Sequence, residues 1–288
     1  MGEAPPQDPG GSGRGKGREP FVPAKRSLGQ NFLVDPNLQR RIVEEAGIEP
    51  GDTVLEIGPG RGALTGGLAE LAGSLVLVEL DRGLAARLQE QFADAAHVRV
   101  VQDDILRRPL AEVVDDPSSL IVVGNIPYNV TTPILFHLLE PPRPRVILLM
   151  VQREVADRIL APPGSRAYGA LSIGVRAVAD VEVVLQVPRS VFRPRPRVDS
   201  AVIRIEPFVP PVLEPGEERA LRDLTRALFQ WRRKQLGRIL RDHPDLGLDP
   251  EEQDALLAVA GADRTDRPET LAPEAFRAMA RWLARGPR

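Results

Sequence analysis

Short apolar runs recur through the middle of the chain, at Thr53 to Ile57, Leu75 to Glu79, Val98 to Gln102, Leu120 to Gly124 and Val146 to Val151. Each is too short for a core helix and most are β-branched, so each predicts a buried strand. Between them Arg61 to Leu71, Gly83 to Phe92, Thr132 to Leu139 and Arg153 to Leu160 predict helices. Strands alternating with helices imply right-handed crossovers and a mostly parallel sheet covered on both faces. Upstream, Leu38, Ile42, Val43 and Ala46 follow a helical period, with Asp35 as N-cap, Pro36 at the first helical position and Gly47 as the stop. Two later runs, Val181 to Val187 and Ser200 to Ile205, are separated by a Pro/Arg loop with little helix, which predicts an antiparallel pair at the sheet's edge.

The pattern changes after that pair. Pro207, Pro210, Pro211 and Pro215 mark a linker over 208–216, and the remainder predicts a small helical domain over 217–288. Its expected helices are Glu217 to Asp242, Glu251 to Ala260 and Pro273 to Ala284, the last with Phe276, Met279 and Trp282 on one face. At the other end Met1 to Pro20 is rich in Gly and Pro, offers no apolar face and predicts a disordered tail. The α/β domain is expected over 21–207.

Composition narrows the chemistry. The chain has no cysteine and three histidines far apart in sequence, which excludes thiolate chemistry and predicts no metal site. No apolar run approaches the roughly 20 residues that span a bilayer, and no secretory signal is visible, so a cytoplasmic location is expected. The net charge of −2 draws in no polyanion by itself. Local patches exist nonetheless: Arg189, Arg193, Arg195 and Arg197 share one loop with a single nearby acid, Asp199, and Arg232, Arg233, Lys234, Arg238 and Arg241 form a second cluster. Each patch taken alone reads equally as a solvated face.

Candidate chemistry gathers at strand ends. Gly58-Pro59-Gly60-Arg61-Gly62-Ala63 follows the first core strand and opens a helix, where backbone can approach a ligand closely. With Glu79 at the end of the second strand, as a ribose-binding acid would stand, this turn fits an NAD enzyme as well as any other nucleotide site. The third strand ends in Asp103 and Asp104, where a carboxylate could accept from an adenine amine. Asn125-Ile126-Pro127-Tyr128 ends the fourth. An amide oxygen, a main-chain carbonyl and an aromatic ring suit a flat base whose exocyclic amine donates hydrogen bonds. No residue is left for a nicotinamide half, so S-adenosylmethionine is the better fit. The exocyclic amine of such a base is a poor nucleophile because its lone pair is delocalised into the ring. The expected catalysis is therefore positioning: Asn125 and the Pro127 carbonyl accept from the amine while Tyr128 stacks.

These motifs resemble the ribosomal RNA adenine dimethyltransferase family, and within it the bacterial enzymes that dimethylate two adjacent adenosines in small-subunit ribosomal RNA. The resemblance covers nearly the whole chain and implies a Rossmann-like S-adenosylmethionine-dependent methyltransferase domain followed by a small helical domain. Ser27-Leu28-Gly29-Gln30-Asn31-Phe32-Leu33 is similar to the family's opening motif, which implies that Asn31 and Leu33 close over the cofactor. Gly58, Glu79, Asp104 and Asn125 match its other cofactor positions. Asp104 is preferred to Asp103 because the family's acid precedes a small or aliphatic residue, here Ile105. Tyr168 to Ser172, Val191 to Val202 and Phe229 to Lys234 match further. The second of these implies Phe192 as a stacking face opposite Tyr128, and the third implies Arg232, Arg233 and Lys234 as RNA contacts. Ile126 stands where the small-subunit enzymes more often carry Leu and resembles the sister group acting on large-subunit RNA, whereas Pro133 and the long helical region favour the small-subunit group. A ribosome-assembly factor that has lost transfer is the remaining alternative. A monomer is expected, since no exposed heptad or apolar stripe is visible.

Overall fold

The computed structural model describes residues 30–286. The expected tail and the Ser27-Leu28-Gly29 end of the opening motif lie outside the described residues. The chain begins with β1 (Phe32–Leu33) and α1 (Pro36–Glu45), then alternates through β2 (Thr53–Ile57), α2 (Thr65–Leu71), β3 (Ser74–Glu79), α3 (Arg82–Gln91), β4 (Val98–Gln102), α4 (Leu110–Val113), β5 (Ile121–Gly124), α5 (Thr131–Leu138) and β6 (Val146–Gln152). Next come α6 (Arg153–Leu160), α7 (Ala170–Arg176), β7 (Ala179–Val187), β8 (Phe192–Arg193) and β9 (Ser200–Pro207). Four helices follow: α8 (Pro215–Gln230), α9 (Leu236–Asp242), α10 (Pro250–Ala260) and α11 (Pro273–Arg285).

Seven strands form one sheet in the order β4-β3-β2-β5-β6-β9-β7. The five apolar runs are its parallel part, and β9 joins antiparallel to both β6 and β7, which closes the edge as the late pair predicts. Successive strand residues enter opposite cores: Leu55, Ile57, Val122, Ile147 and Leu149 on one face, Val54, Leu75, Ile121, Val123 and Leu148 on the other. Burial of both faces is why these strands read as continuous apolar runs rather than as alternating ones. Each such side chain removed from water contributes about 1.5–3 kcal/mol.

The second face is covered by α1 to α3, through Ile42, Val43, Leu68 and Leu88. The first is covered by α5 to α7, and its core runs without a break into Leu221, Leu228, Leu240, Phe276 and Met279 of the C-terminal helices. Two polar ties reinforce that junction. The buried Arg143 guanidinium meets the buried Glu218 carboxylate at 2.6 Å, and the Tyr168 hydroxyl donates to the Leu271 carbonyl at 2.6 Å. Among the described residues no helix is long and apolar enough to cross a membrane.

Two expectations are corrected. The helix expected from Arg61 starts only at Thr65, because Gly60 and Gly62 take φ of +59° and +81° and hold the chain in a turn. The helix expected over Glu217 to Asp242 breaks at Trp231 into α8 and α9. Arg232 holds the break by donating to the Glu269 carboxylate and to the carbonyls of Ser165 and Arg166. The sequence reading also has no counterpart of α7, whose N-terminus is capped by the Ser172 hydroxyl accepting from the Gly169 N–H at 3.1 Å.

One buried acid makes the fold pH-dependent. Glu56 on β2 is buried and accepts from the Thr65 hydroxyl at 2.7 Å. Burial pushes its carboxyl up to about 8, with the Thr65 hydrogen bond opposing and Glu79 adding to the rise. The unfolded chain releases this proton near the ordinary value of 4.5 while the folded chain keeps it to about 8. Unfolding between those pH values therefore releases a proton, so rising pH weakens the fold. Glu56→Gln, which cannot ionise, is expected to gain on the wild type in thermal midpoint as pH goes from 5 to 8; a gap that stays constant in parallel melts would refute a buried neutral Glu56.

Candidate active site

The strand order reverses beside β2, which pairs in parallel with β3 on one side and β5 on the other. The loops leaving β2 and β5 diverge and open a crevice at the carboxyl ends of the strands. A cavity of about 270 Å³ lies there, walled by the ends of β2, β3, β4 and β5 and by the segment entering β1. Asn31, Leu33, Gly58, Glu79, Asp104, Asn125, Pro127 and Tyr128 all line it.

The glycine turn forms the floor. Gly58 sits at φ +65° and donates its N–H to the Val78 carbonyl at 2.9 Å. A side chain there would have the Asn125 carbonyl as its nearest neighbour at 4.0 Å, so a Cβ would take cavity space rather than protein space. The Glu79 carboxylate is buried at the end of β3 and accepts from the Gly60 N–H at 2.9 Å and from the Asp81 N–H at 2.8 Å. Burial raises its ionisation above the usual carboxylate range, and N–H donors from Asp81, Gly60 and Leu80 pull it back. A carboxylate at this place is the kind of acceptor a vicinal diol needs.

The two neighbouring acids divide their work. Asp103 accepts from the Arg108 guanidinium at 2.6 Å and from the Asp104 N–H at 2.8 Å, and the arginine holds its carboxyl below the ordinary range. Asp104 caps the short turn Ile105–Arg107 by accepting from the Leu106 N–H at 3.1 Å. Its carboxylate therefore stands at the cavity wall with the apolar Ile105 and Leu106 beside it.

On the opposite wall, close packing fixes the end of β5. A Cβ on Gly124 would sit 3.1 Å from the Leu149 side chain and 3.3 Å from the Ile57 carbonyl, so glycine gives β5 the tight fit with which it delivers Asn125 here. The Asn125 Nδ2 donates to the Asn31 carbonyl at 3.4 Å, which leaves Oδ1 as the acceptor of the side chain. The Pro127 carbonyl, expected to share that task, accepts instead from the Val130 N–H at 3.1 Å and the Thr131 hydroxyl at 3.4 Å. Both of its lone pairs are spent inside the turn. The Ile126 carbonyl, by contrast, takes part in none of the described hydrogen bonds. Tyr128 follows in a short helical turn, half-buried, with its hydroxyl 2.6 Å from the Ser200 hydroxyl.

The segment entering β1 closes the remaining side. β1 pairs antiparallel with β8, Leu33 opposite Phe192 and Phe32 opposite Arg193. The Phe32 ring packs against the Cα of Gly60 and lies under the Arg61 guanidinium, 4.2 Å from its centre. The pairing of Phe32 with Arg61 leaves no trace in the sequence beyond an aromatic ring between the polar residues Asn31 and Asp35. Phe192 is a correction. Its ring is fully buried in the core shared with Leu33 and does not line the cavity, so it presents no face opposite Tyr128. Its pairing with Leu33 braces the segment that closes the cavity. Arg232 is also committed elsewhere, to Glu269 and two carbonyls, whereas Arg233 and Lys234 are exposed around a separate depression beside Trp231 and Arg238. Among the described residues no cluster of three or more His, Asp or Glu side chains could hold a metal ion.

Comparison with known proteins agrees with this geometry. The family model for ribosomal RNA adenine dimethylase matches residues 22–247. A ribosomal RNA small subunit methyltransferase A from Moorella thermoacetica is 44% identical over 276 residues, covering 92% of this chain and 94% of that protein. Its counterpart from Bacillus mycoides is 42% identical over 265 residues, covering 90% and 91%. Among solved structures, a dimethyladenosine transferase from Plasmodium falciparum superposes with a TM-score of 0.74 at 25% identity, over 86% of this chain and 95% of that one. The 23S rRNA methyltransferase ErmE superposes at 0.65 with 28% identity, over 87% and 98%. With the matched region spanning the sheet, the cavity and the start of the helical region, the chain belongs to the ribosomal RNA adenine dimethylase family.

Proposed function

We propose that this protein transfers methyl groups from S-adenosylmethionine to N6 of two adjacent adenosines in a loop near the 3′ end of small-subunit (16S) ribosomal RNA, in the cytoplasm and as a monomer without metal. The observation that carries this reading is the one cavity in which Glu79, Asp104 and the Asn125 amide converge, with Asn125 Nδ2 committed to the Asn31 carbonyl. The small-subunit target is supported by relatives at 42–44% identity named for that subunit. The large-subunit target is the second reading, supported by the likeness to ErmE.

The cavity suits the cofactor. Gly58 leaves room for backbone contact, Glu79 offers acceptors to ribose hydroxyls, and Asp104 with Ile105 offers a carboxylate and an apolar wall to an adenine. Bound there, S-adenosylmethionine supplies an electrophilic methyl group on a sulfonium. Asn31 and Leu33 close the site from the β1 side and exclude water. Asn125 Oδ1 and the Ile126 carbonyl accept from the two amine hydrogens of the target base, which favours a pyramidal nitrogen and localises its lone pair. Tyr128 stacks the base, an interaction worth about 1–3 kcal/mol. No side-chain base is required, because the methylated nitrogen is acidic enough to lose its proton to solvent or a nearby carbonyl. The target adenosine must be unpaired or extruded to reach this depth. Arg233 and Lys234, with the exposed Arg193, Arg195 and Arg197, are the groups placed to hold its backbone.

Incubation with methyl-labelled S-adenosylmethionine and immature small subunits, followed by nucleoside analysis, is expected to give dimethyladenosine in small-subunit RNA. Label in large-subunit RNA would support the second reading, and cofactor binding without transfer would leave an assembly factor. Asn125→Ala is expected to slow transfer by about a hundredfold or more, since the amine loses its alignment. Charge reversal of Arg233 and Lys234 should weaken RNA binding and make its logarithmic salt slope shallower by about 0.7 for each phosphate no longer neutralised. An unchanged slope would make them a solvated face.

A further inference from the structure

Ser200 is the first residue of β9 and is fully buried, at the head of the buried apolar run Ala201-Val202-Ile203. A hydroxyl taken out of water costs free energy unless it is hydrogen-bonded. The described side-chain partner of Ser200 is the Tyr128 hydroxyl, 2.6 Å away and 72 residues distant in sequence. Ser200 is itself immobile, since β9 lies between two strands and pairs it with Gln152 of β6 and Val187 of β7. The preceding residue is fixed as well: the Asp199 carbonyl accepts from the Arg153 N–H at 3.0 Å, and its carboxylate accepts from the Arg189 N–H at 2.9 Å.

Tyr128 has no such security of its own. It sits in a three-residue turn whose backbone fixes the Cα but leaves two side-chain torsions, and its ring is only half-buried at the cavity wall. Burial raises the ionisation of its hydroxyl above the ordinary value, so the group stays protonated and hydrogen-bonded at neutral pH.

We infer that Ser200 is a positioning residue for the transfer: its hydroxyl, anchored in the sheet, fixes the plane of the Tyr128 ring against which the target adenine stacks. The inference rests on the proposed function and adds to it a residue that touches neither cofactor nor base. Its role is to remove ring freedom before the substrate arrives, so that the stacked amine meets the methyl group in line. The same bond joins the stacking ring to the strand that follows the arginine-bearing loop 188–199.

The test is a double-mutant cycle of Ser200→Ala and Tyr128→Phe, read as kcat and KM for transfer to immature small subunits, with S-adenosylmethionine affinity and thermal midpoint measured in parallel. Each single variant should lower kcat by about three- to tenfold, the worth of one hydrogen bond, without changing cofactor affinity. The double variant should lose no more than either single one, because both remove the same bond. Losses that multiply in the double variant, or a Ser200→Ala protein that melts lower but transfers at full speed, would overturn the inference. Should Ser200→Ala fail to fold, Tyr128→Phe carries the test alone, since it keeps the ring and removes the bond; unchanged kcat there overturns the inference equally. Absence of transfer by the wild-type protein would remove the proposed function and this inference with it, whereas unaffected variants beside an active wild type remove the inference only.

Discussion

The reversal of strand order at β2 and β5 is the constraint from which the rest follows. Two parallel neighbours leave the same strand edge in opposite directions, and their loops cannot fill the gap between them. What occupies the edge of that gap is backbone: Gly58 at positive φ on one side and the Gly124-Asn125 peptide on the other. A side chain at Gly124 would crowd Leu149 and the Ile57 carbonyl, and one at Gly58 would strain a turn at φ +65° on the cavity wall. The cavity is therefore a product of topology and of the glycine turn, and the polar groups around it act on whatever that space admits.

Those groups are held by the protein itself. Glu79 is tied by the N–H groups of Gly60 and Asp81, Asn125 by the Asn31 carbonyl, and Tyr128 by Ser200. Each bond offsets part of the desolvation of a buried polar group and also fixes where its remaining hydrogen-bonding capacity points. The partners come from distant parts of the chain: the β1 segment, the glycine turn and the start of β9. The same economy explains why Phe192 and Arg232 belong to motifs without lining the cavity. Phe192 buttresses Leu33 across β1 and β8, and Arg232 holds the break between α8 and α9 against Glu269.

The centre of the sheet is legible in the sequence because its inner strands are buried on both faces, so that runs such as Leu75 to Val78 and Ile121 to Val123 carry no polar interruption. The glycine turn, Glu79, Asp104 and Asn125-Ile126-Pro127-Tyr128 are legible because each sits where such a strand ends. Hydrogen bonds made after the chain turns are not. Nothing in the sequence shows that the Pro127 carbonyl folds back onto Val130 and Thr131 while the Ile126 carbonyl enters none of the described hydrogen bonds. The burial of Phe192 depends on a two-residue pairing with β1 across some 160 positions, too short and too distant to leave a periodic trace. The break at Trp231 has no proline or glycine to announce it and is imposed by tertiary contacts of Arg232.

The central claim is that the gap between β2 and β5 holds the methyl donor against the backbone of Gly58. Calorimetric titration of S-adenosylmethionine into the wild-type protein and into Gly58→Ala tests it most directly, with thermal melts alongside to confirm that both are folded. The account predicts stoichiometric binding by the wild type and a loss of affinity in Gly58→Ala, whose methyl group would occupy cavity space. Equal affinity in the two folded proteins would contradict it.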